Sequence, residues 1–285
     1  MIPLRIATCR QLPEPDPDEA PLAAALAAAG FAAELLGWDD PLVDWDAPIP
    51  TILRSTWNYP LAVDAFIAWI DRAAAAAPLV NPPEIIRDNL HKRYLLELMA
   101  RGVPVVPTQV IERGAPCEPE DLAAIAHRLG GTRVVIKPEV GAGSLGTRKF
   151  AADDPVAAAH LANLTAVGAA LVQPYIASVE TYGERSLVWI DGALSHAIRK
   201  TPRFSGDAEQ VTGPFPIAAD ERAVAEAALA PIADRILYGR VDLARDAAGQ
   251  PVVMEIELIE PSLFFARQPG SVERYVSGLR RWIDP

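Results

Sequence analysis

"GRVDLARDAAGQPVVMEIELIEPS", residues 239–262, places two apolar runs on either side of the polar "RDAAGQ", the pattern of a β-hairpin. A four-residue turn over 247–250 would pair Asp246 with Pro251. Counting back then sets Asp242 opposite Glu255 and Arg240 opposite Glu257. Directly opposed residues share a face of a sheet, as do positions i and i+2 of one strand. Asp242, Glu255 and Glu257 therefore converge, and Met254, Ile256 and Leu258 fill the other face. Three carboxylates this close repel unless they are protonated or bridged by cations. An all-oxygen set suits Mg2+, which shares its ligands with water and phosphates. The competing reading is an acidic, solvated hairpin face.

Working back along the chain, "GERSLVWIDGALSHAIRK" (183–200) is a second hairpin, turning at Asp191-Gly192. A two-residue turn puts Glu184 opposite Arg199 and sends Lys200 to the other face. "ALVQPYI" (170–176) is a strand ending at Gln173, where Pro174 removes a backbone donor and leaves backbone groups to meet a planar heterocycle. "GAGSLGT" (141–147) spells G-x-G-x-x-G. "TRKF" follows it as a returning strand rather than a helix, so the dinucleotide-binding reading fails. The P-loop pattern also fails, because Thr147 stands where Lys is needed. What remains is either an ordinary glycine hairpin or one whose amides close over phosphates. Just before it, "RVVIKP" ends an apolar strand in Lys137, which must snorkel or meet an anion. In "DNLHKRYLLELMARG" (88–102), Asp88 or Asn89 would cap a helix, placing Lys92 in its first turn. A cation is mildly unfavourable there, so Lys92 is either simply exposed or reaches a phosphate.

The first 86 residues alternate strand and helix. "LRIATC" is a strand, Asp18 caps an alanine-rich helix ending at Gly30, "TILRS" is a buried strand, and "DAFIAWIDRAAAAAP" is a helix stopped by Pro78. Alternation of this kind implies an open, mostly parallel sheet with helices on its faces. "NPPE" (81–84) reads as a linker. Arg54 sits at a strand's C-terminal end, where open α/β sheets bind ligands. It could grip a carboxylate or an acidic neighbour, with Ser55, Thr56 and Asn58 as short polar contacts and Ser262 on the opposite side.

Composition narrows the function. A net charge of −11 over 285 residues argues against nucleic-acid and anionic-membrane surfaces. No apolar run reaches the ~18 residues of a membrane span. Met1 to Arg5 lack a secretory apolar core, and the two cysteines lack metal spacing. A cytoplasmic protein, monomer or homodimer, is expected. None of the four histidines has a nucleophile partner by spacing.

As a set, from about residue 87 onward, these motifs resemble the ATP-grasp ligases. "RSTWNY", "HAIRK" and "EIELIEPSLF" resemble the O-ureidoserine cyclo-ligase group within that family, which serves D-cycloserine biosynthesis. The resemblance implies an α/β (α+β) ATP-grasp fold. Its units would be an N-terminal open parallel-sheet domain (1–86), a small lid subdomain (87–175) and an antiparallel-sheet subdomain (176–285). It implies that Lys92 and Lys137 hold ATP phosphates and that Gly141, Gly143, Ser144 and Gly146 form the phosphate loop. Gln173, Tyr175 and Ile176 would face adenine, Glu184 would hold the ribose, and Asp242, Glu255 and Glu257 would hold Mg2+, with Mn2+ able to substitute. Many family members carry Asn where Glu257 stands; Glu is an equally good oxygen ligand. The implied reaction is phosphorylation of a carboxylate, or a comparable oxygen, of a small amino-acid-like substrate, followed by attack of an amine, in another molecule or the same one. Arg199 and Lys200 are the candidates to stabilise the acyl phosphate. The competing functions are a nucleotide-binding regulatory module and another ATP-dependent phosphotransferase.

Overall fold

The computed structural model describes residues 1–201 and 210–283. Among these, the strands form three sheets. The first holds β1 (Ile2–Thr8), β2 (Phe31–Gly37), β3 (Thr51–Leu53) and β4 (Leu79–Val80) in the order β2-β1-β3-β4, all parallel. Helices α1 (Glu19–Ala28) and α2 (Val63–Ala76) connect its strands. The expected alternation of strand and helix is present, with β2 an additional strand at the sheet's edge.

The segment 81–84 is not a linker. Asn81 is fully buried; its amide donates to the carbonyls of Tyr238 and Leu258 (both 2.9 Å), and its Oδ1 accepts from the Leu237 amide (2.9 Å). The Tyr238 hydroxyl lies against the carbonyls of Leu53, Val80 and Ile259. Buried polar groups satisfied in this way hold the first sheet against the end of the chain.

The expected helix over 88–102 is broken. α3 (Pro83–Leu90) and α4 (Tyr94–Ala100) are separated at His91, whose backbone is extended, before Lys92 and Arg93 turn into α4. Tertiary partners outweigh local propensity there. Asn89 exchanges two hydrogen bonds with Ile256 and Leu258, and the Lys92 amide donates to Glu139 O (3.1 Å).

The second sheet, β5 (Gln109–Ile111), β6 (Arg133–Pro138), β7 (Arg148–Ala151) and β8 (Ala170–Pro174), has order β5-β8-β6-β7 and is antiparallel. One face buries Val134, Ile136, Ala170 and Val172 with Leu122 and Leu161 of α5 (Pro119–Arg128) and α6 (Pro155–Val167). The glycine loop joins β6 to β7 as the returning strand predicts.

The third sheet is antiparallel, ordered β11-β10-β9-β12-β13: β9 (Glu184–Ile190), β10 (Ala193–Lys200), β11 (Val211–Phe215), β12 (Tyr238–Arg245) and β13 (Pro251–Glu257). Leu187, Trp189, Val241, Leu243, Ile256 and Leu258 pack on one face with α4 and α7 (Ala219–Leu229). α8 (Ser271–Ile283) closes the chain, burying Tyr275, Val276 and Leu279 against the first sheet and the far end of the third.

Two bulges decide which side chains reach the polar face. In β12–β13, Arg245 rather than Asp246 pairs with Pro251, one residue off the expected turn. The register then shifts between Leu243 and Asp242, leaving Met254 as the extra residue, so Asp242 still meets Glu255 and Arg240 still meets Glu257. Met254 does not join the apolar face as expected. In β9–β10, the Asp191-Gly192 turn forms with φ of 48° and 82° at its two residues, the backbone a type I′ hairpin needs. A register shift at Ser195 then sets Lys200, not Arg199, opposite Glu184. A one-residue slip exchanges the faces of a strand, and the expected roles of these two cations are exchanged with it.

Candidate active site

The polar face of the third sheet carries Glu184, Ser186, Lys200, Arg240, Asp242, Glu255 and Glu257. It is turned toward Lys92 and toward Lys137 at the end of β6. Asp242 is the centre. It accepts from Arg240 through both oxygens (Nε and Nη2, 2.9 Å each) and from Lys200 Nζ (2.9 Å). Burial alone would raise the Asp242 carboxyl, but Arg240 and Lys200 outweigh it and hold the group well below the usual carboxylate range. Arg240 also pairs with Glu257, and Lys200 with Glu184. Burial raises Glu184 to about 7 despite Lys200. Glu255 lies between Lys92 (3.1 Å) and Lys137 (3.7 Å); burial would raise it, and the two lysines bring it down. Lys92 also donates to Gly141 O (2.6 Å), tying the glycine loop to the cluster. Burial lowers Lys137.

The three carboxylates thus share a face, but cations stand between them. Among the described residues no three His, Cys, Asp or Glu side chains form a ready metal cage. The donor chemistry still fits a hard cation. Asp242, Glu255 and Glu257 offer only oxygens, and Mg2+ is commonly held by one or two carboxylates together with phosphate oxygens and waters.

In the glycine loop, Gly143, Ser144 and Gly146 have φ of 58°, 61° and 73°. That left-handed backbone is cheap for glycine and costly for serine. Val140 and Ala142 pack on the first sheet's aromatic core, so the loop lies across the cleft.

Other expected contacts are differently placed. Arg199 is on the opposite face, its guanidinium 5.6 Å from the Phe215 ring, as a consequence of the Ser195 bulge. The Gln173 side chain turns inward to Thr108 Oγ1 (2.8 Å). Tyr175 donates to Glu180, and its ring lies 4.5 Å from both Arg133 and Lys149. Ile176 starts the short turn that carries Glu180. Ser55 meets Thr8 Oγ1 (2.9 Å), and Asn58 is held by Trp38 and Asp39. Thr56 Oγ1 is buried without a partner among the described residues.

Arg54 is 2% exposed and pairs with Asp18 (3.0 Å) and Asp16 (3.8 Å). Asp18 occupies the N-cap position but makes no side-chain bond to its own helix. Its carboxylate instead accepts the amides of Leu263 (2.5 Å), Phe264 (3.0 Å) and Phe265 (2.8 Å), a backbone nest for an anion. Phe264 is left-handed (φ 52°), and its ring lies 5.9 Å from the Arg240 guanidinium; Ser262 O accepts from Arg240 Nη1 (3.2 Å). Arg54 therefore braces the loop that carries Ser262 rather than lining the cleft.

Sequence reasoning missed Arg240 as a member of the site and Asp18 as the partner that takes Arg54 out of it. Arg240 was legible, since the register already placed it opposite Glu257, two residues before Asp242. Asp18 was not, because its partners lie 245 to 247 positions away.

Residues 4–81 match the family model for the N-terminal domain of D-cycloserine synthetase DcsG. The chain is 35% identical to the cycloserine biosynthesis protein DcsG of Streptomyces lavendulae, over 95% of each chain. The crystal structure of D-cycloserine synthetase DcsG superposes with a TM-score of 0.90 at 33% identity, over 99% of this chain and all of that one. ATP-grasp ligase PsnB, solved with a phosphomimetic variant of its minimal precursor, Mg and ADP, shares the fold (TM-score 0.65, 16% identity, 99% of each chain).

Proposed function

This chain belongs to the ATP-grasp ligases of the D-cycloserine synthetase family, and from that premise we propose that it uses ATP to activate the carboxylate of a small amino-acid-like substrate for attack by an amine of the same molecule. One observation carries the reading. Four cations, Lys92, Lys137, Lys200 and Arg240, are held against four carboxylates by contacts a ligand can exchange. The cations suit a polyphosphate and the carboxylates its metal.

In this reading residues 1–86 hold the organic substrate, 87–175 close over the nucleotide, and 176–285 carry the reacting groups. Lys92, Lys137 and the loop amides of 141–146 take the phosphates. Asp242, Glu255 and Glu257 would hold Mg2+, which when bound neutralises charge on the transferred phosphoryl group. The substrate carboxylate oxygen bonds to the γ-phosphorus as the bond to ADP breaks. The amine nitrogen then bonds to the acyl carbon, the carbon–oxygen bond to phosphate breaks, and the amine loses a proton to solvent. Phosphoryl transfer of this kind needs positioning and charge neutralisation more than a protein nucleophile. Lys200 and Arg240 supply the charge where it develops, with Arg240 taking the place expected of Arg199.

The test is ADP formation from ATP with pooled amino acids and Mg2+. Turnover that depends on the pool and stops with chelator is expected; ATP hydrolysis indifferent to the pool would favour the phosphotransferase reading.

A further inference from the structure

Arg54 turns its Nη2 to Asp18 and Asp16, but its Nε and Nη1, both buried, have no hydrogen-bond partner among the described residues. The Phe265 ring lies 5.9 Å from the guanidinium carbon, too far to stand in for an acceptor. A buried donor without an acceptor is costly, and native structures leave few of them. Arg54 also lines a cavity of about 250 Å³ between α1 and β2. Asp16 lines it beside Arg54. Its Oδ1 accepts the Asp18 amide (2.9 Å), and its Oδ2 stands 3.8 Å from Arg54 Nη2.

Small side chains leave this space open. Glu19, Ala23 and Ala27 recur at every fourth position of α1 and line up along one stripe. Phe31, Ala33 and Leu35 alternate onto one face of β2. All six line the cavity, and two alanine methyl groups on the helix wall cannot fill the gap above the strand. At the surface Ala23, Ala27 and Ala33 are exposed, while Arg54 and Asp16 at the inner end are buried. Apolar walls with a few placed polar groups are the usual make-up of a small-molecule site. The 250 Å³ here exceeds the roughly 150 Å³ that accommodates a benzene. The cavity is separate from the cleft. Ile6 and Leu22, which line it, belong to the α1 face of the first sheet, whereas the glycine loop packs through Val140 and Ala142 on the α2 face.

We propose that this cavity is a second ligand site, and that it takes a neutral aliphatic carboxamide. The amide oxygen accepts from Arg54 Nη1, the amide nitrogen donates to Asp16 Oδ2, and the hydrocarbon lies along Ala23, Ala27 and Leu35. Charge selects this class. Arg54 is one cation set against Asp16, Asp18 and, at the rim, Glu19. A carboxylate would satisfy Arg54 but bring one more anion to that end. An ammonium would satisfy Asp16 but leave the arginine donors empty and face their charge. A carboxamide carries an acceptor and two donors and no net charge. None of these residues is assigned to nucleotide, metal or acyl phosphate in the ligase reading, so the two stand or fall separately.

The probes are isovaleramide, isovalerate and isopentylamine, which share a branched tail and differ in the charge of the head. Each is titrated by calorimetry into the whole protein. Isovaleramide is expected to bind the wild type at least roughly 10-fold more tightly than either charged probe, the worth of one hydrogen bond to a charged group. Ala23→Leu and Ala27→Leu grow a side chain into the space. Each should weaken isovaleramide by at least roughly 10-fold while Mg-ADP affinity stays within twofold, with thermal melting to confirm the fold. Arg54→Lys keeps a cation for Asp18 and removes both unpaired donors, so it should cost isovaleramide a similar factor. The site is refuted if isovaleramide does not bind the wild type, or if isovalerate or isopentylamine binds as tightly. It is refuted equally if a folded leucine variant or Arg54→Lys binds isovaleramide as the wild type does, or if a leucine variant loses Mg-ADP to the same extent. Should no variant fold, the ranking of the three probes on the wild type still decides. Failure of the ligase reading shows separately, as absence of ADP formation with pooled amino acids.

Discussion

The knot of Asp16, Asp18 and Arg54 and the cleft charges around Asp242 are both buried, yet they are satisfied in different ways. Asp18 is 0% exposed, and three of its partners are backbone amides that cannot leave. The cleft carboxylates are satisfied mainly by lysine and arginine side chains. Such chains can turn from a carboxylate to a phosphate, and the freed carboxylate can then take a metal. The difference teaches that burial and charge alone do not mark a site: exchangeable partners do. A carboxylate in a backbone nest is part of the fold, and one held by mobile cations is poised for a ligand.

The sharpest way to break this comparison is to remove the cleft carboxylates. Asp242→Asn and Glu255→Gln should each reduce ADP formation at saturating Mg2+ by at least on the order of 10²–10³-fold while unfolding stays cooperative. A near-wild-type rate in either variant would make them mere counter-charges for the lysines. Asp18→Asn should do the opposite. It leaves Arg54 only the longer contact to Asp16 (3.8 Å) and weakens the nest, so denaturant unfolding should show a loss of about 3–5 kcal/mol, with ATP affinity close to wild type. A stable Asp18→Asn protein would move Asp18 out of the fold and into the cleft.

A crossed pair sharpens the distinction further. Lys137→Ala should weaken ATP by roughly 10- to 150-fold, and Arg54→Ala should raise the substrate KM instead, through the Ser262 loop. Calorimetry with ATP and substrate kinetics on both variants decide it; an Arg54→Ala protein that loses ATP as strongly as Lys137→Ala refutes the division. The smallest effect belongs to the glycine loop. Amides of 141–147 should exchange hydrogen more slowly with Mg-ATP than without. Gly143→Ala, at φ 58° with open space around the added methyl, should cost only about 1–2 kcal/mol of local strain. Equal protection in both states removes the closing role.

The hairpin over 239–257 shows how much was legible. Alternating apolar and polar positions set which face each residue takes, and that alternation alone puts Asp242, Glu255 and Glu257 together. The agreement was partly fortunate, since a turn misplaced by one residue was cancelled by the bulge at Met254. No such cancellation occurred at Ser195, and there the reading exchanged Lys200 for Arg199. Bulges answer to the packing of neighbouring strands, and the local pattern carries little trace of them.

What the sequence by itself determined is therefore the periodic part: the parallel α/β beginning, the antiparallel sheets, the Asp191-Gly192 turn, the glycine hairpin after Lys137, and the acidic face. These follow from side-chain alternation and turn chemistry, which act over a few residues. Only the tertiary structure decided the partners. Arg54 met Asp18 instead of the cleft, Asn81 became a buried lock instead of a linker, and the helix broke at Lys92 to bring its amine to Glu255. The physical reason is the same in each case. A charged or polar group takes whichever partner burial brings within about 3 Å, and groups that close in space can be hundreds of positions apart in the chain.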